Sequence, residues 1–283
     1  MAVMSYLRAE REHKCVPSHL AAIEDGMKAD GFTIVPAFLD EWELDDLRQE
    51  CESLVTAAKQ RCECGVDESE VWITDRGCIL ETVNLKSHPE AAWSMPAFAA
   101  HRSTKPCTME GCRALLSRRL IDVVLSILGK QACIFNEQYI VKPAYSGAAS
   151  AFQWHRDGDW LASHDAEDVP YISVWVALDD ITEDNGALLV RRSAEMTRSS
   201  QPSAVIPAES VTVSAGTAVI MSSTLWHCSL PNNSSRMRRA WMPQFSAGSI
   251  CSRTSGNPLA LAVPLERQMR RTPQGCRAYK GAS

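Results

Sequence analysis

The chain has 283 residues, 45% of them hydrophobic and 22% charged, with a formal net charge of -5. That balance argues for a soluble globular fold rather than disorder, and Lys and Arg are spread rather than blocked, which argues against nucleic acid or an anionic membrane surface as partner. The eleven cysteines are odd in number and form no Cys-x-x-Cys pair, so neither a zinc ribbon nor a redox motif is expected.

In chain order, Pro17 to Lys28 reads as an amphipathic helix opened by Ser18 and broken by Gly31. Phe32 to Val35 is a short β-rich run stopped by Pro36. A second helix starts near Asp40, with Asp40 as N-cap, Glu43 three residues on, and Leu44, Leu47, Cys51, Leu54 and Val55 on one face. Cys62 and Cys64 fall in an expected exposed loop that runs to Glu70. Short strand candidates follow at Val71 to Ile73 and Ile79 to Glu81. A third helix spans Arg113 to Leu128, closed by Gly129.

From Ala132 the texture changes to short strands separated by Gly, Pro, Asn and Asp: 133–141, 152–157, 171–178, 187–190, 205–206, 217–221, 227–229 and 238–245. Such a series predicts an all-β sandwich or barrel with the helices packed outside. One domain over 1–283 is expected, with a helical N-terminal part (about 17–130), a barrel core (about 131–246) and a C-terminal tail (247–283). The N-terminus lacks an apolar h-region and there is no apolar run of spanning length, so a cytoplasmic protein with reduced thiols is expected.

The chemistry concentrates in Phe152-Gln-Trp-His-Arg-Asp-Gly-Asp-Trp160. In a strand, Gln153, His155 and Asp157 share one face. An imidazole beside a carboxylate supplies two ligands of a 2-His-1-carboxylate facial triad for non-haem iron(II). By itself His-x-Asp is more often a buried histidine held by its carboxylate. His227, at a strand start followed by turn residues, is the candidate third ligand; it alternates with Ser229. Arg238, eleven residues later, lies on a strand that can return its guanidinium to the same cavity, and alternation excludes Arg239 from that face.

These residues, with Trp175-Val-Ala-Leu-Asp-Asp-Ile-Thr-Glu-Asp-Asn-Gly-Ala-Leu188 and the Asp30-Gly31-Phe32 and Phe38-Leu39 opening, resemble the phytanoyl-CoA dioxygenase family of iron(II)/2-oxoglutarate oxygenases over roughly residues 20 to 245. The resemblance implies a mainly β fold with flanking helices, a double-stranded β-helix (jelly-roll, cupin-like) barrel. It implies iron(II) held by His155, Asp157 and His227, with 2-oxoglutarate and O2 as co-substrates. The far carboxylate of 2-oxoglutarate would sit on Arg238, whose planar fork a lysine cannot replace, with Ser229 adding a hydroxyl. Gln153 and Gln138 match positions near the co-substrate, though a satisfied polar residue inside a barrel accounts for either equally well. If Gln138 faces inward, so do Asn136, Ile140 and Lys142, which places Lys142 near the mouth. Trp175 shares a face with Ser173 and Ala177 and can wall the iron pocket, and Trp160 is expected at the mouth against substrate.

Two departures matter. Where relatives carry a Pro-Gly-Ser-His turn, this chain has Val190-Arg-Arg-Ser-Ala-Glu195, and its retained Asp157 disfavours the halogenating branch, which replaces that carboxylate. The implied reaction is oxidation of a small organic molecule, by hydroxylation, desaturation or rearrangement, with release of succinate and CO2. A specialised metabolite is the expected substrate. The alternatives are an acyl-CoA or lipid hydroxylase using Lys142, Arg191 and Arg192 as a basic groove, or a barrel that binds metal and 2-oxoglutarate without turnover. Segments 62–70 and 144–151 are candidate lids, and a homodimer is left open.

Overall fold

The computed structural model describes residues 17–64, 72–74, 77–83, 98, 114–115, 117–192, 207–260 and 262–265. Helix α1 (Pro17–Asp30) ends where Gly31 takes a φ of 78° and its N–H bonds the Met27 carbonyl, turning the chain into β1 (Phe32–Val35). Helix α2 (Glu41–Cys64) opens with a reciprocal capping box. The Asp40 N–H donates to Glu43 Oε2 at 3.1 Å and the Glu43 N–H to Asp40 Oδ1 at 3.0 Å, so two of the four orphan donors are satisfied. No breaker occurs before Gly65, so Cys62 and Cys64 belong to this helix and not to a loop. Of that expected lid, residues 65–70 lie outside the described residues.

Strands β2 (Trp72–Thr74) and β3 (Gly77–Val83) precede α3 (Arg118–Leu128). The helix expected from Arg113 is interrupted at Ser117: Ala114 and Leu115 are helical, but Ser117 is extended (φ -60°, ψ 138°), its hydroxyl accepts from the Leu120 N–H, and α3 begins at Arg118. Capping competes with continuation at a serine, and here the cap wins. Strand β4 (Cys133–Lys142), β5 (Phe152–His155), a short helix α4 (Asp159–Ser163), β6 (Tyr171–Ala177), β7 (Leu188–Arg191), β8 (Glu209–Val211), β9 (Ala218–Ser222), β10 (Trp226–Ser229), β11 (Arg238–Ser246) and β12 (Val263–Pro264) complete the order. The strand expected at 205–206 lies outside the described residues.

The strands form two antiparallel sheets. The larger runs β1-β9-β6-β11-β4-β3-β2 with β12 beside β4, and the smaller runs β5-β10-β7-β8. The expected partition into helical part, barrel and tail is therefore crossed at both ends, since β1 to β3 and β12 extend the larger sheet. Strand β6 is buried at all seven positions, and its period of two sorts them. Ile172, Val174 and Val176 join Leu47, Leu54, Leu120 and Val124 of the helices in one core on the outer face. Trp175 and Ala177 face the smaller sheet in a second core with Leu188, Val190 and Met221. The helices thus cover one side of the large sheet, and the other side, closed by the small sheet, holds the cavity.

The segment 144–151 is not a free flap. The Gly147 N–H bonds the Asn232 carbonyl at 3.0 Å, and the Tyr145 N–H bonds the Ser234 carbonyl at 2.9 Å. Asn232, fully buried, spends its amide on the carbonyls of Lys142, Pro143 and Arg236. That corner holds the end of β4 against the turn before β11.

Candidate active site

A cavity of about 190 Å³ lies between the sheets. At one end His155 from the end of β5, Asp157 two residues on, and His227 from β10 bring their ligand atoms within 4.8 Å of one another. Strand pairing does this directly, since His227 is the register partner of His155. Asp157 Oδ1 lies 3.6 Å from His155 Nε2 and 3.5 Å from His227 Nε2, separations too long for strong hydrogen bonds and suited to three groups aimed at one point.

The ring orientations agree with metal ligation. His155 Nδ1 lies 2.7 Å from the Gln153 carbonyl and His227 Nδ1 3.0 Å from the Leu225 carbonyl. Each Nδ1–H therefore donates to a backbone oxygen two residues back, and each Nε2 lone pair is left to face the triad. Burial works against the Asp157 charge, yet His227, His155 and the Ser173 hydroxyl outweigh it and hold the carboxyl well below the usual carboxylate range. Burial pushes His227 down despite Asp157, which keeps it neutral as a ligand must be. His155 is also burdened by burial, but its contact with Asp157 raises it overall.

The second oxygen of Asp157 is spoken for. Ser173 Oγ donates to Asp157 Oδ2, Gln244 Nε2 donates to Ser173 Oγ at 2.9 Å, and Asn136 Nδ2 donates to Gln244 Oε1 at 2.9 Å. Gln244 is the register partner of both Asn136 on β4 and Ser173 on β6, so the relay crosses three adjacent strands in line. It leaves only Oδ1 for a metal. Sequence reasoning placed Asn136 and Ser173 on inward faces but missed Gln244. Alternation from Arg238 through Ala240 and Met242 would have found it.

At the other end stands Arg238, 1% exposed, with its guanidinium 5.4 Å from the Trp175 ring. One nitrogen, Nη2, donates to the Gly186 carbonyl at 2.7 Å, while Nε and Nη1 are buried with no hydrogen-bond partner among the described residues. An unsatisfied buried donor costs about 1–3 kcal/mol, so two on one guanidinium that lines the cavity mark a place for anionic acceptors. Burial lowers the Arg238 pKa to about 9 although Asp179 opposes the shift. Arg239 points the other way and pairs with Asp179 at 2.7 Å, as alternation requires.

Of the remaining expected site residues, Ser229, Gln138, Trp175 and Trp160 all line the cavity. Trp160 is half-buried on α4 and donates from Nε1 to the Tyr171 hydroxyl at 3.1 Å. Gln153 does not reach the cavity; its side chain is exposed. His227 pairs with His155 while Ser229 pairs with Phe152, so between these pairs two β5 residues oppose one of β10 and the extra residue is a bulge. The bulge breaks the alternation, puts Phe152 on the wall in place of Gln153, and leaves Gln153 acting through its carbonyl. Lys142 is not at the mouth. It is fully buried, with Nζ donating to Ser229 Oγ at 2.7 Å and to the Leu230 carbonyl at 2.5 Å.

The basic groove expected of an acyl-CoA enzyme is not assembled from its named residues. Lys142 is enclosed, Arg191 stacks on Trp154 at 4.4 Å, and Arg192 is tied to Asp30 and Glu209. Tyr171, Met221, Met242, Ile79 and Leu188, which line the cavity as well, were read only as strand residues or not singled out.

Comparison with known proteins bears on this geometry. No curated protein sequence matches the chain. Among solved structures, the α-ketoglutarate-dependent carbocyclase SnoK from nogalamycin biosynthesis is similar at 16% identity, over 86% of this chain and 95% of its own, with a TM-score of 0.61. The epimerase SnoN in complex with Fe3+, α-ketoglutarate and nogalamycin RO is similar at 14% identity, over 93% and 98%, with a TM-score of 0.58. AviO1 from Streptomyces viridochromogenes Tue57 is similar at 20% identity, over 82% and 96%, also at 0.58. These likenesses establish the expected double-stranded β-helix fold. The sequence matches the family model for phytanoyl-CoA dioxygenase (PhyH) over residues 27–240, and the chain belongs to that family.

Proposed function

We propose that the protein is an iron(II)- and 2-oxoglutarate-dependent oxygenase that oxidises an apolar small molecule in specialised-metabolite biosynthesis. The observation that carries the reading is one cavity with three convergent metal ligands at one end and a buried guanidinium with donors to spare at the other. The metal would be held by His155 Nε2, His227 Nε2 and Asp157 Oδ1, a donor set of two neutral imidazoles and one carboxylate suited to iron(II) with positions left for ligands. Bound iron and 2-oxoglutarate supply an oxidant from O2, so that one oxygen atom ends in succinate, CO2 is lost, and the other oxygen atom hydroxylates substrate.

The chain's own residues do the positioning. Arg238 offers an edge of its planar guanidinium as a fork to the far carboxylate of the co-substrate. Trp175 walls the cavity beside that fork, and Ser229 adds a hydroxyl. The Ser173 relay holds the Asp157 ligand oxygen in place. Trp160, Met221, Met242, Ile140 and Leu188 present apolar surface and exclude water from the reacting centre. That lining supports a neutral, apolar substrate, and the nogalamycin enzymes among the structural relatives support specialised metabolism. Cys51, Cys133, Cys228 and Cys251 are free thiols, which suits a reducing cytoplasm. Among the described residues no helix is long and apolar enough to cross a membrane.

The test is succinate formation by anaerobically iron-loaded protein given 2-oxoglutarate and then oxygen, with a panel of polyketide-like, terpenoid and alkaloid candidates beside acyl-CoA thioesters. Substrate-stimulated succinate that vanishes in Asp157→Ala is the expected result. Failure to bind metal and 2-oxoglutarate would overturn the reading. Binding of both without turnover on any candidate would favour a sensor.

A further inference from the structure

Lys142 stands beside the anion end of the cavity with no assigned task. It is the register partner of Arg238 across β4 and β11, so the two basic side chains lie side by side on adjacent strands and both are sealed from solvent. The Lys142 chain runs past Gly186, where a Cβ would meet its Cδ at 2.8 Å and the Leu230 carbonyl at 2.9 Å. Its Nζ lies 5.3 Å from the Phe152 ring. Neither polar contact is to an acid: one is the Ser229 hydroxyl, the other the Leu230 carbonyl.

The Ser229 contact has a directional consequence. In its ammonium form, which a carboxylate in the cavity favours, Lys142 has donors and no acceptor, so Ser229 Oγ then accepts from it and sends its own proton elsewhere. Ser229 lines the cavity, as does Arg238. The hydroxyl therefore joins one two-donor edge of the Arg238 guanidinium as a third donor on the same cavity wall. Two carboxylate oxygens can take three such bonds, and charge-assisted ones are the stronger kind.

We propose that Lys142 is a positioning residue that commits the Ser229 hydroxyl to donate into the cavity, completing with Arg238 a three-donor receptor for the far carboxylate of a 2-oxo dicarboxylic acid. The inference rests on the oxygenase reading above and assigns selectivity for the co-substrate to a residue that does not touch it. With a carboxylate in the cavity Lys142 takes up a proton and adds a second positive charge beside Arg238, which favours an acid with a second carboxylate over a 2-oxo acid that ends in methyl.

The experiment compares 2-oxoglutarate with 2-oxopentanoate, which has the same chain length without the far carboxylate. Binding to the manganese(II)-loaded protein is measured without oxygen, by calorimetry or tryptophan fluorescence. Wild-type protein is expected to prefer 2-oxoglutarate. Lys142→Met is expected to weaken 2-oxoglutarate about tenfold or more and leave 2-oxopentanoate within about twofold, the effect of losing one charge-assisted bond. Ser229→Ala should do the same, and adding Lys142→Met to it should cost little more, because the lysine acts through the serine.

A purely structural lysine would weaken both acids together. Unchanged discrimination in Lys142→Met, or losses that multiply in the double variant, would overturn the assignment and leave the oxygenase reading standing. No discrimination by wild type would overturn both. Ser229→Ala keeps the lysine in place, so it decides the matter even where Lys142→Met does not fold: unchanged discrimination there refutes the receptor.

Discussion

The two ends of the cavity solve opposite problems. At the metal end nearly every polar atom has a protein partner: both Nδ1 atoms sit on backbone carbonyls, and Asp157 Oδ2 closes the relay through Ser173, Gln244 and Asn136. At the anion end two guanidinium nitrogens have none among the described residues, and two basic side chains lie side by side. The difference teaches which half the fold builds in advance and which half waits for a ligand. A built half should lose stability when cut, and a waiting half should lose binding while the empty protein is unharmed or firmer.

The largest effect is expected from removing ligands. Asp157→Ala, His155→Ala and His227→Ala should each reduce succinate formation to background; retained turnover in any one would break the triad assignment. Next is Arg238→Met. Affinity for 2-oxoglutarate should fall by two to three orders of magnitude, about 3–4 kcal/mol, the scale for truncating one partner of a buried charge pair. The apo protein should be as stable as wild type or more so, because two unsatisfied donors are gone. A destabilised Arg238→Met would mean the guanidinium is already satisfied, and the comparison would fail.

The relay should behave in the reverse way. Gln244→Leu strands the Asn136 amide and removes the donor to Ser173, so it should cost about 1–3 kcal/mol in urea unfolding without metal and weaken manganese(II) about 10–100-fold. Ser173→Ala should follow in the same direction, since it frees Asp157 Oδ2. Gly186→Ala sits between the two classes. Its φ of 102° and the close approach to Lys142 predict a loss of about 1–3 kcal/mol together with weaker 2-oxoglutarate, because the Gly186 carbonyl also anchors Arg238.

How much of this was legible in the sequence follows the same division. Alternation within a strand is local, and it placed Arg238 inward, Arg239 outward, and Ser173 beside Trp175 without any partner strand in view. It failed at Gln153, because a bulge in β5 is fixed by the spacing of two β10 contacts that no local pattern records. Lys142 failed for a related reason. The inward parity was right, but depth along β4 depends on Asn232 and the turn before β11, which carry the end of the strand under the small sheet. The capping box at Asp40 and Glu43 was readable because both partners lie within one turn; the Ser117 cap was hidden in an apolar run that otherwise continues the helix. Long-range hydrogen-bond chains such as Asn136–Gln244–Ser173–Asp157 have no sequence signature until the register is known.

The smallest expected effect is a pH dependence confined to the anion end. Burial, and then repulsion from Arg238 on β11, lowers the Lys142 pKa to about 6, with Cys228 on β10 acting weakly the other way. The remaining neighbours, Ser229, the Leu230 carbonyl and Phe152, carry no charge. At pH 8 the empty site therefore holds mostly neutral amine, which can accept the Ser229 proton and turn that hydroxyl away from the cavity. A carboxylate in the cavity favours the ammonium, so the lysine pKa is higher in the complex than in the free protein. Binding then takes up a proton at any pH between those two values, and affinity for 2-oxoglutarate falls as pH rises from about 6. Calorimetry at pH 8 in two buffers of different ionisation enthalpy should record that uptake, about a few-fold loss of affinity per pH unit at most. Lys142→Met should show neither the uptake nor the slope, and 2-oxopentanoate should show little of either with wild type. A slope that persists in Lys142→Met would move the titration to the metal end, where the relay and the triad, not the waiting cations, would be answering to pH.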